Sequence, residues 1–157
     1  MKLATLLYIK NSNGDYLLLE RSNEPNKGLL SPPGGKLHLY DSESPFACAI
    51  IEAKEECKIE SNPKDWKLLG IITEKNYPKI GNIMLFLFKY KHTIIEKPDD
   101  FNEGKYFFIP EKQILKSNIP ESDKLYIWNF VLRDNDRFFS IHLNCDENPY
   151  KCTIESE

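Results

Sequence analysis

Three acidic residues, Glu52, Glu55 and Glu56, follow closely on the run Gly34-Gly35-Lys36, with Glu43 between the two groups. On a helix that turns about 100° per residue they stand i+3, i+4 and i+1 apart and share an arc of roughly 100°. That arc adjoins the apolar positions Phe46, Ala49, Ile50 and Ala53. Carboxylates held this close repel one another and raise each other's pKa unless a cation sits among them. Oxygen ligands select a hard divalent ion, Mg²⁺ or Mn²⁺, which keeps waters and takes further oxygens from phosphates. The glycine pair lets backbone approach a metal or phosphate with no Cβ in the way, so a carbonyl from Gly35 or Gly34 can join the ligands. Such an ion neutralises diphosphate charge and acidifies a water whose proton another glutamate accepts, which are the parts for hydrolysing a phosphoanhydride. Taken alone, a glutamate-rich helix side is ordinarily a solvated face, since Glu, Lys and Ala are good helix formers. The order of strand, Pro-Gly loop, capped helix and E-x-x-E-E beside an apolar stripe is what shifts the reading towards chemistry.

The elements that must position these residues are well signalled. Leu3 to Ile9 and Tyr16 to Leu19 are apolar, β-rich runs on either side of Asn13-Gly14, a two-residue hairpin signal. Leu29 to Gly35 carries two prolines and two glycines, which forbid a helix and predict a shaped loop. From Pro45 to Cys57 the apolar period changes to three and four, with Ser44 as N-cap and Pro45 as first helical residue. Trp66 to Glu74 and Asn82 to His92 read as strands, and the run IMLFLFKY in the second is continuously apolar enough for the centre of a sheet. Lys105 to Ile109 predicts a short strand, Glu111 to Leu115 a short helix, and Glu121 to Leu132 the last long helix. Phe138 to Leu143 predicts a terminal strand, with the polar remainder frayed.

Composition narrows the classes. A chain of 157 residues with 41% hydrophobic residues can build one core, so residues 1–145 are expected as a single domain and 146–157 as a polar C-terminal tail. The 21 Lys+Arg against 24 Asp+Glu give a net charge of −3, against a general electrostatic grip on nucleic acid. No apolar run suits a bilayer crossing, and the start MKLATLLYIKNSNGD turns polar too early for a secretory signal. Cys48, Cys57, Cys145 and Cys152 show no C-x-x-C spacing, and His38, His92 and His142 lie far apart, so reduced thiols and no zinc site are expected. The expectation is a cytoplasmic protein that is monomeric or homodimeric and binds a small molecule.

At this point the sequence resembles the Nudix hydrolases, whose signature is G-x5-E-x7-R-E-U-x-E-E-x-G-U with U a bulky apolar residue. Gly35 to Ile59 supplies it as G-KLHLYDS-E-SPFACAI-I-E-A-K-E-E-C-K-I. The departures are seven residues rather than five between Gly35 and Glu43, Ile51 for the arginine that braces the glutamates, Ala53 for the bulky residue, and Lys58 for the helix-ending glycine. The resemblance implies an α/β fold, an α/β/α sandwich with a mixed β-sheet. It implies that Glu55 and Glu56 ligate Mg²⁺ (or Mn²⁺) with a backbone oxygen of Gly35 or Gly34, that Glu52 is a ligand or the general base, and that Glu43 supports them. A further acid from a later loop is expected, with Glu103 and Asp100 as the candidates. Arg21, Gly34 and Lys36 are candidate phosphate contacts.

For the substrate, the family cleaves nucleoside diphosphates linked to another group, and the subgroup cues are mixed. The downstream proline of ADP-ribose enzymes and the SQPWPxPxS array of NADH enzymes are missing. Tyr77 is a counterpart of the tyrosine that marks dinucleoside polyphosphate hydrolases. NKGLLSPPGGKL and the Ile119-Pro120-Glu121-Ser122-Asp123 entry to the last helix look like the MutT-type nucleoside triphosphate pyrophosphatases. There, acids near the final helix read a purine edge, so Glu121, Asp123 and Trp128 are candidates, with helix capping and core packing as their ordinary roles. The expected activity is Mg²⁺-dependent hydrolysis of a nucleoside triphosphate or related nucleoside diphosphate derivative, an oxidised one such as 8-oxo-dGTP included. The alternatives are a dinucleoside polyphosphate hydrolase, or a nucleotide sensor that has lost turnover, motivated by Ile51.

Overall fold

A computed structural model describes residues 1–157. Its strands are β1 (Lys2–Asn11), β2 (Tyr16–Arg21), β3 (Leu30–Ser31), β4 (Trp66–Tyr77), β5 (Gly81–Ile94), β6 (Gly104–Ile109), β7 (Phe139–Asn144) and β8 (Lys151–Ser156). They form one mixed sheet in the order β3-β2-β1-β5-β4-β7-β8, with β6 also paired to β2. The apolar run 83–90 is central as expected, since β5 lies between β1, to which it is parallel, and β4, to which it is antiparallel. The hairpin after β1 is longer than the Asn13-Gly14 signal implied. Asn11 Oδ1 accepts the amides of Asn13 and Asp15 at 3.0 and 2.9 Å, closing a four-residue link that ends at Tyr16.

Two apolar layers sandwich the sheet, as period-2 alternation requires. Leu7, Ile9, Leu17 and Leu19 face helix α1 (Pro45–Cys57), whose Ala49 and Ala53 are fully buried. Tyr8, Tyr16 and Leu18 face the opposite way, onto Ile127, Trp128 and Val131. The small Ala53 lets α1 sit close to β1. Ser44 caps α1 by accepting from the Ala47 amide at 3.1 Å. At the other end Lys58 adopts φ 58°, and the amides of Lys58 and Ile59 return to Lys54 and Ala53. The position therefore does demand the left-handed conformation that glycine takes most cheaply.

The last helix spans residues 121–131 and is not uniform. Asp123–Ile127 form a π turn, followed by α2 (Trp128–Val131). The C-terminal end is not frayed: β8 pairs antiparallel with β7, and the polarity of KCTIES reflects an exposed edge strand. No helix is long and apolar enough to cross a membrane.

Candidate active site

The Pro-Gly loop is anchored along the first half of β1. Leu7 N–H donates to Pro33 O at 2.8 Å, Thr5 N–H to Gly35 O at 2.8 Å, and Leu37 N–H to Leu3 O at 2.9 Å. This antiparallel zipper decides which peptide groups are free. The carbonyls of Pro33 and Gly35 are taken up by β1, whereas Gly34 lies between them with its polar groups on the other side, and its N–H donates to Glu56 Oε2 at 3.3 Å. Gly35 O also lies 3.4 Å from the Thr5 hydroxyl. The Gly35 oxygen is thus engaged by β1, and it is Gly34 whose backbone, through its N–H, meets the acids.

Both glycines are required by close approach. A Cβ on Gly34 would lie 2.0 Å from Thr5 O, and one on Gly35 would lie 2.4 Å from the Glu52 carboxyl carbon. The loop and the acid face of α1 thus touch with no room for a side chain between them.

Glu52 and Glu56, one helical turn apart, are half-buried on this face, and Glu56 interacts with both Glu52 and Glu103. Burial first, then the charges of Glu52 and Glu103, push the Glu56 carboxyl up to about 9. Glu52 is raised as well, by burial and then by Glu55 and Glu103. Glu55 itself is exposed, and its charge reaches Glu52 from the solvent side. Glu43, its side chain nearly buried, accepts the His38 amide at 2.7 Å, tying the lengthened Gly35-to-Glu43 loop to the start of α1, and its charge reaches Glu52 as a lesser contribution.

Of the two later acids, Glu103 is the one brought to the site. It lines the cavity from the tight turn before β6, where Phe101 and Gly104 exchange backbone hydrogen bonds at 3.0 Å. Asp100 instead accepts the Tyr106 amide at 3.0 Å and shapes that turn. Ile51 is exposed on α1, where the signature arginine would stand.

A cavity of about 1100 Å³ runs from these acids to the start of the last helix. Arg21 and Lys36 line it, and Arg21 Nε donates to Pro25 O at 2.7 Å. Tyr77 lines it too, its hydroxyl donating to Asn26 Oδ1 at 3.2 Å while the neighbouring Lys79 pairs with Glu24. Asp123 lines the far end, where burial raises it to about 7. Beside it is Glu74, 5% exposed, raised to about 8 by burial and then by the Asp123 charge. Sequence reasoning missed Glu74, although its parity with Gly70 and Ile72 along β4 placed it indoors.

Two purine-edge candidates do not reach the cavity. Glu121, two residues from Asp123 and so on the other side of the helix, is exposed. Trp128 is fully buried and packs edge-on to Tyr8 and Tyr16, so it belongs to the core.

Hard carboxylate oxygens short of positive charge fit a hard cation. No three His, Cys, Asp or Glu side chains converge closely enough to cage one alone. That suits Mg²⁺, which binds through a few carboxylates and completes its shell with waters and substrate phosphates.

Similarity to known proteins bears on this arrangement. No curated protein sequence matches the chain. Among solved structures it is similar to a MutT protein of Bacillus halodurans, with 25% identity, 97% of each chain covered and a TM-score of 0.74. It is also similar to a MutT protein of Methanosarcina mazei Go1, at 20% identity over 83% of this chain and 92% of that one, TM-score 0.67. A third is the NUDIX domain of Shewanella oneidensis NrtR, complexed with ADP ribose, at 16% identity over 82% and 84%, TM-score 0.66. The NUDIX domain family matches residues 1–128, which contain the glycine loop, α1, Glu103 and Asp123 alike, and the chain belongs to that family of hydrolases.

Proposed function

We propose that the protein is a Mg²⁺-dependent pyrophosphohydrolase of nucleoside triphosphates or related nucleoside diphosphate derivatives, oxidised purine nucleotides included. The observation that carries this reading is one cavity lined by acids at both ends, the half-buried Glu52 and Glu56 with the exposed Glu103 at one and the buried Glu74 with the half-buried Asp123 at the other. The first cluster suits a cation on a polyphosphate, and the second suits hydrogen bonding to a base.

Glu56 and Glu103, with the Gly34 carbonyl, would hold the ion, which waters and substrate phosphates complete, and Glu55 adds negative charge from outside. Bound there, Mg²⁺ supplies neutralisation of phosphate charge and acidification of water. Arg21, its Nε fixed by Pro25 O, presents the rest of its guanidinium fork to a phosphate oxygen. Lys36 offers a second, more mobile positive charge. Glu52, whose carboxyl abuts Gly35 at the edge of this cluster, would accept the proton of the attacking water. The water's oxygen forms a bond to phosphorus as the bridging P–O bond breaks, releasing a nucleotide and the remaining phosphate or pyrophosphate. At the far end, burial keeps Glu74 largely protonated near neutrality and leaves Asp123 about half so, and the pair thus offers both a donor and acceptors to a purine edge.

The test is a nucleotide panel with and without Mg²⁺ or Mn²⁺, read by identification of every product. Metal-dependent release of a nucleoside monophosphate from a triphosphate is expected. A preference for dinucleoside polyphosphates would replace this substrate with the class that Tyr77 suggested. Saturable nucleotide binding with no turnover would replace hydrolysis with sensing. Glu56→Gln should lose more activity than Glu55→Gln, given that only the former carboxyl lies within the cluster.

A further inference from the structure

Four carbonyls at the C-terminal end of α1 have no partner within the helix, as at any helix end. Of these, that of Lys54 is taken by the Lys58 amide and that of Glu55 by Lys58 Nζ at 3.2 Å, while the Ile59 amide closes on Ala53 one residue earlier. The Glu56 carbonyl is served from another element. Tyr106, fully buried on β6, donates its hydroxyl to Glu56 O at 3.2 Å, with Cys57 Sγ 3.9 Å away.

Tyr106 is equally fixed at its other end. Its amide donates to Asp100, its ring stacks on Phe101 with centroids 5.8 Å apart and planes 17° from parallel, and its backbone pairs with Leu19 of β2. Asp100, Phe101 and Gly104 are the residues that build the turn bearing Glu103, and the Glu103 carbonyl accepts the Ser22 amide at 2.9 Å. One side chain therefore joins the backbone of Glu56 to the scaffold of Glu103.

The electrostatics give that link a purpose. Glu56 and Glu103 come from separate elements and repel each other when both are ionised, so α1 and the turn tend to separate at the place where a cation needs them close. A buried ring stops the two backbones from collapsing together, and its hydroxyl stops them from drifting apart. We propose that Tyr106 is a positioning residue, a strut that sets the span between the Glu56 and Glu103 carboxylates and so prepares the cation site. This inference rests on the metal-site reading above.

The test measures Mn²⁺ binding directly, by titration of the full-length protein followed by electron paramagnetic resonance of the free ion, with no nucleotide present. Tyr106→Phe keeps the ring and its stack. It should retain the fold by circular dichroism and weaken Mn²⁺ binding by about three- to tenfold, the equilibrium equivalent of one net hydrogen bond. Phe101→Leu, which leaves the hydroxyl in place but loosens the stack, should weaken binding in the same direction. In a Glu103→Gln background the Tyr106→Phe effect should vanish, because the strut then has no second carboxylate to place.

Wild-type Mn²⁺ affinity in both single variants would overturn the strut. An undiminished Tyr106→Phe effect in the Glu103→Gln background would overturn it too. Wild-type affinity in Glu103→Gln alone would instead remove Glu103 from the metal site, a separate failure of the reading on which the strut rests.

Discussion

Glu56 offers a measurement of the acid cluster that needs no substrate. Its ordinary pKa of 4.5 is raised to about 9 in the folded protein. The folded state therefore holds a proton that the unfolded state releases, and stability must fall as pH rises through that window. Each pH unit costs at most about 1.4 kcal/mol, so the ceiling between about pH 5 and about pH 8 is about 4 kcal/mol. Water reaching the carboxyl through the cavity reduces this to about 2 kcal/mol. Glu56→Gln keeps the shape and removes the titration. Urea denaturation without divalent cations, followed by tryptophan fluorescence, should find the variant and wild type equally stable near pH 5. Near pH 8 the variant should be more stable by about 2 kcal/mol. Glu74 and Asp123 are raised in the same direction in both proteins and cancel, so the difference between the two curves reports Glu56 together with its interaction with Glu52 and Glu103. Adding Mg²⁺ at about a hundred times its dissociation constant should return about 2.7 kcal/mol to the wild type and less to the variant. Parallel pH profiles for the two proteins would refute the claim that Glu56 is crowded by its neighbours.

Three other substitutions follow from the geometry. Gly35→Ala places a methyl against the Glu52 carboxyl, and should cost about a hundredfold in steady-state hydrolysis with circular dichroism unchanged, because a displaced catalytic group loses its alignment. Lys58→Gly relieves a lysine at φ 58° and should raise stability by about 0.5–1 kcal/mol in the same urea assay. Ile51→Arg restores the signature cation on exposed helix surface and should preserve or increase turnover, measured as kcat/KM.

Local patterns were legible wherever one residue's neighbours in sequence were also its neighbours in space. Ser44, Pro45 and the three-four spacing of Phe46, Ala49, Ile50 and Ala53 defined α1 and its buried face, since capping and periodicity act within a few residues. The Gly34-Gly35 pair and the glutamates could be read as one site because their order and spacing repeat a known signature. The polar end of the chain misled: KCTIES shows little of an apolar strand pattern, and only the free edge of β7 makes it one.

What tertiary structure decided was the choice among equivalents. Gly34 and Gly35 are alike in sequence, but the pairing of the loop with β1 engages the Gly35 carbonyl and leaves Gly34 facing the acids. Glu103 and Asp100 were equal candidates until the turn before β6 turned one towards Glu56 and the other towards the Tyr106 amide. Glu74 and Asp123 became a pair only when β4 and the last helix closed on one cavity, where shared burial raises both. A residue's chemical type and local backbone are fixed by sequence over a few positions. Its solvation and the charges it faces are set by segments far away along the chain, and those determine its pKa and what it can bind.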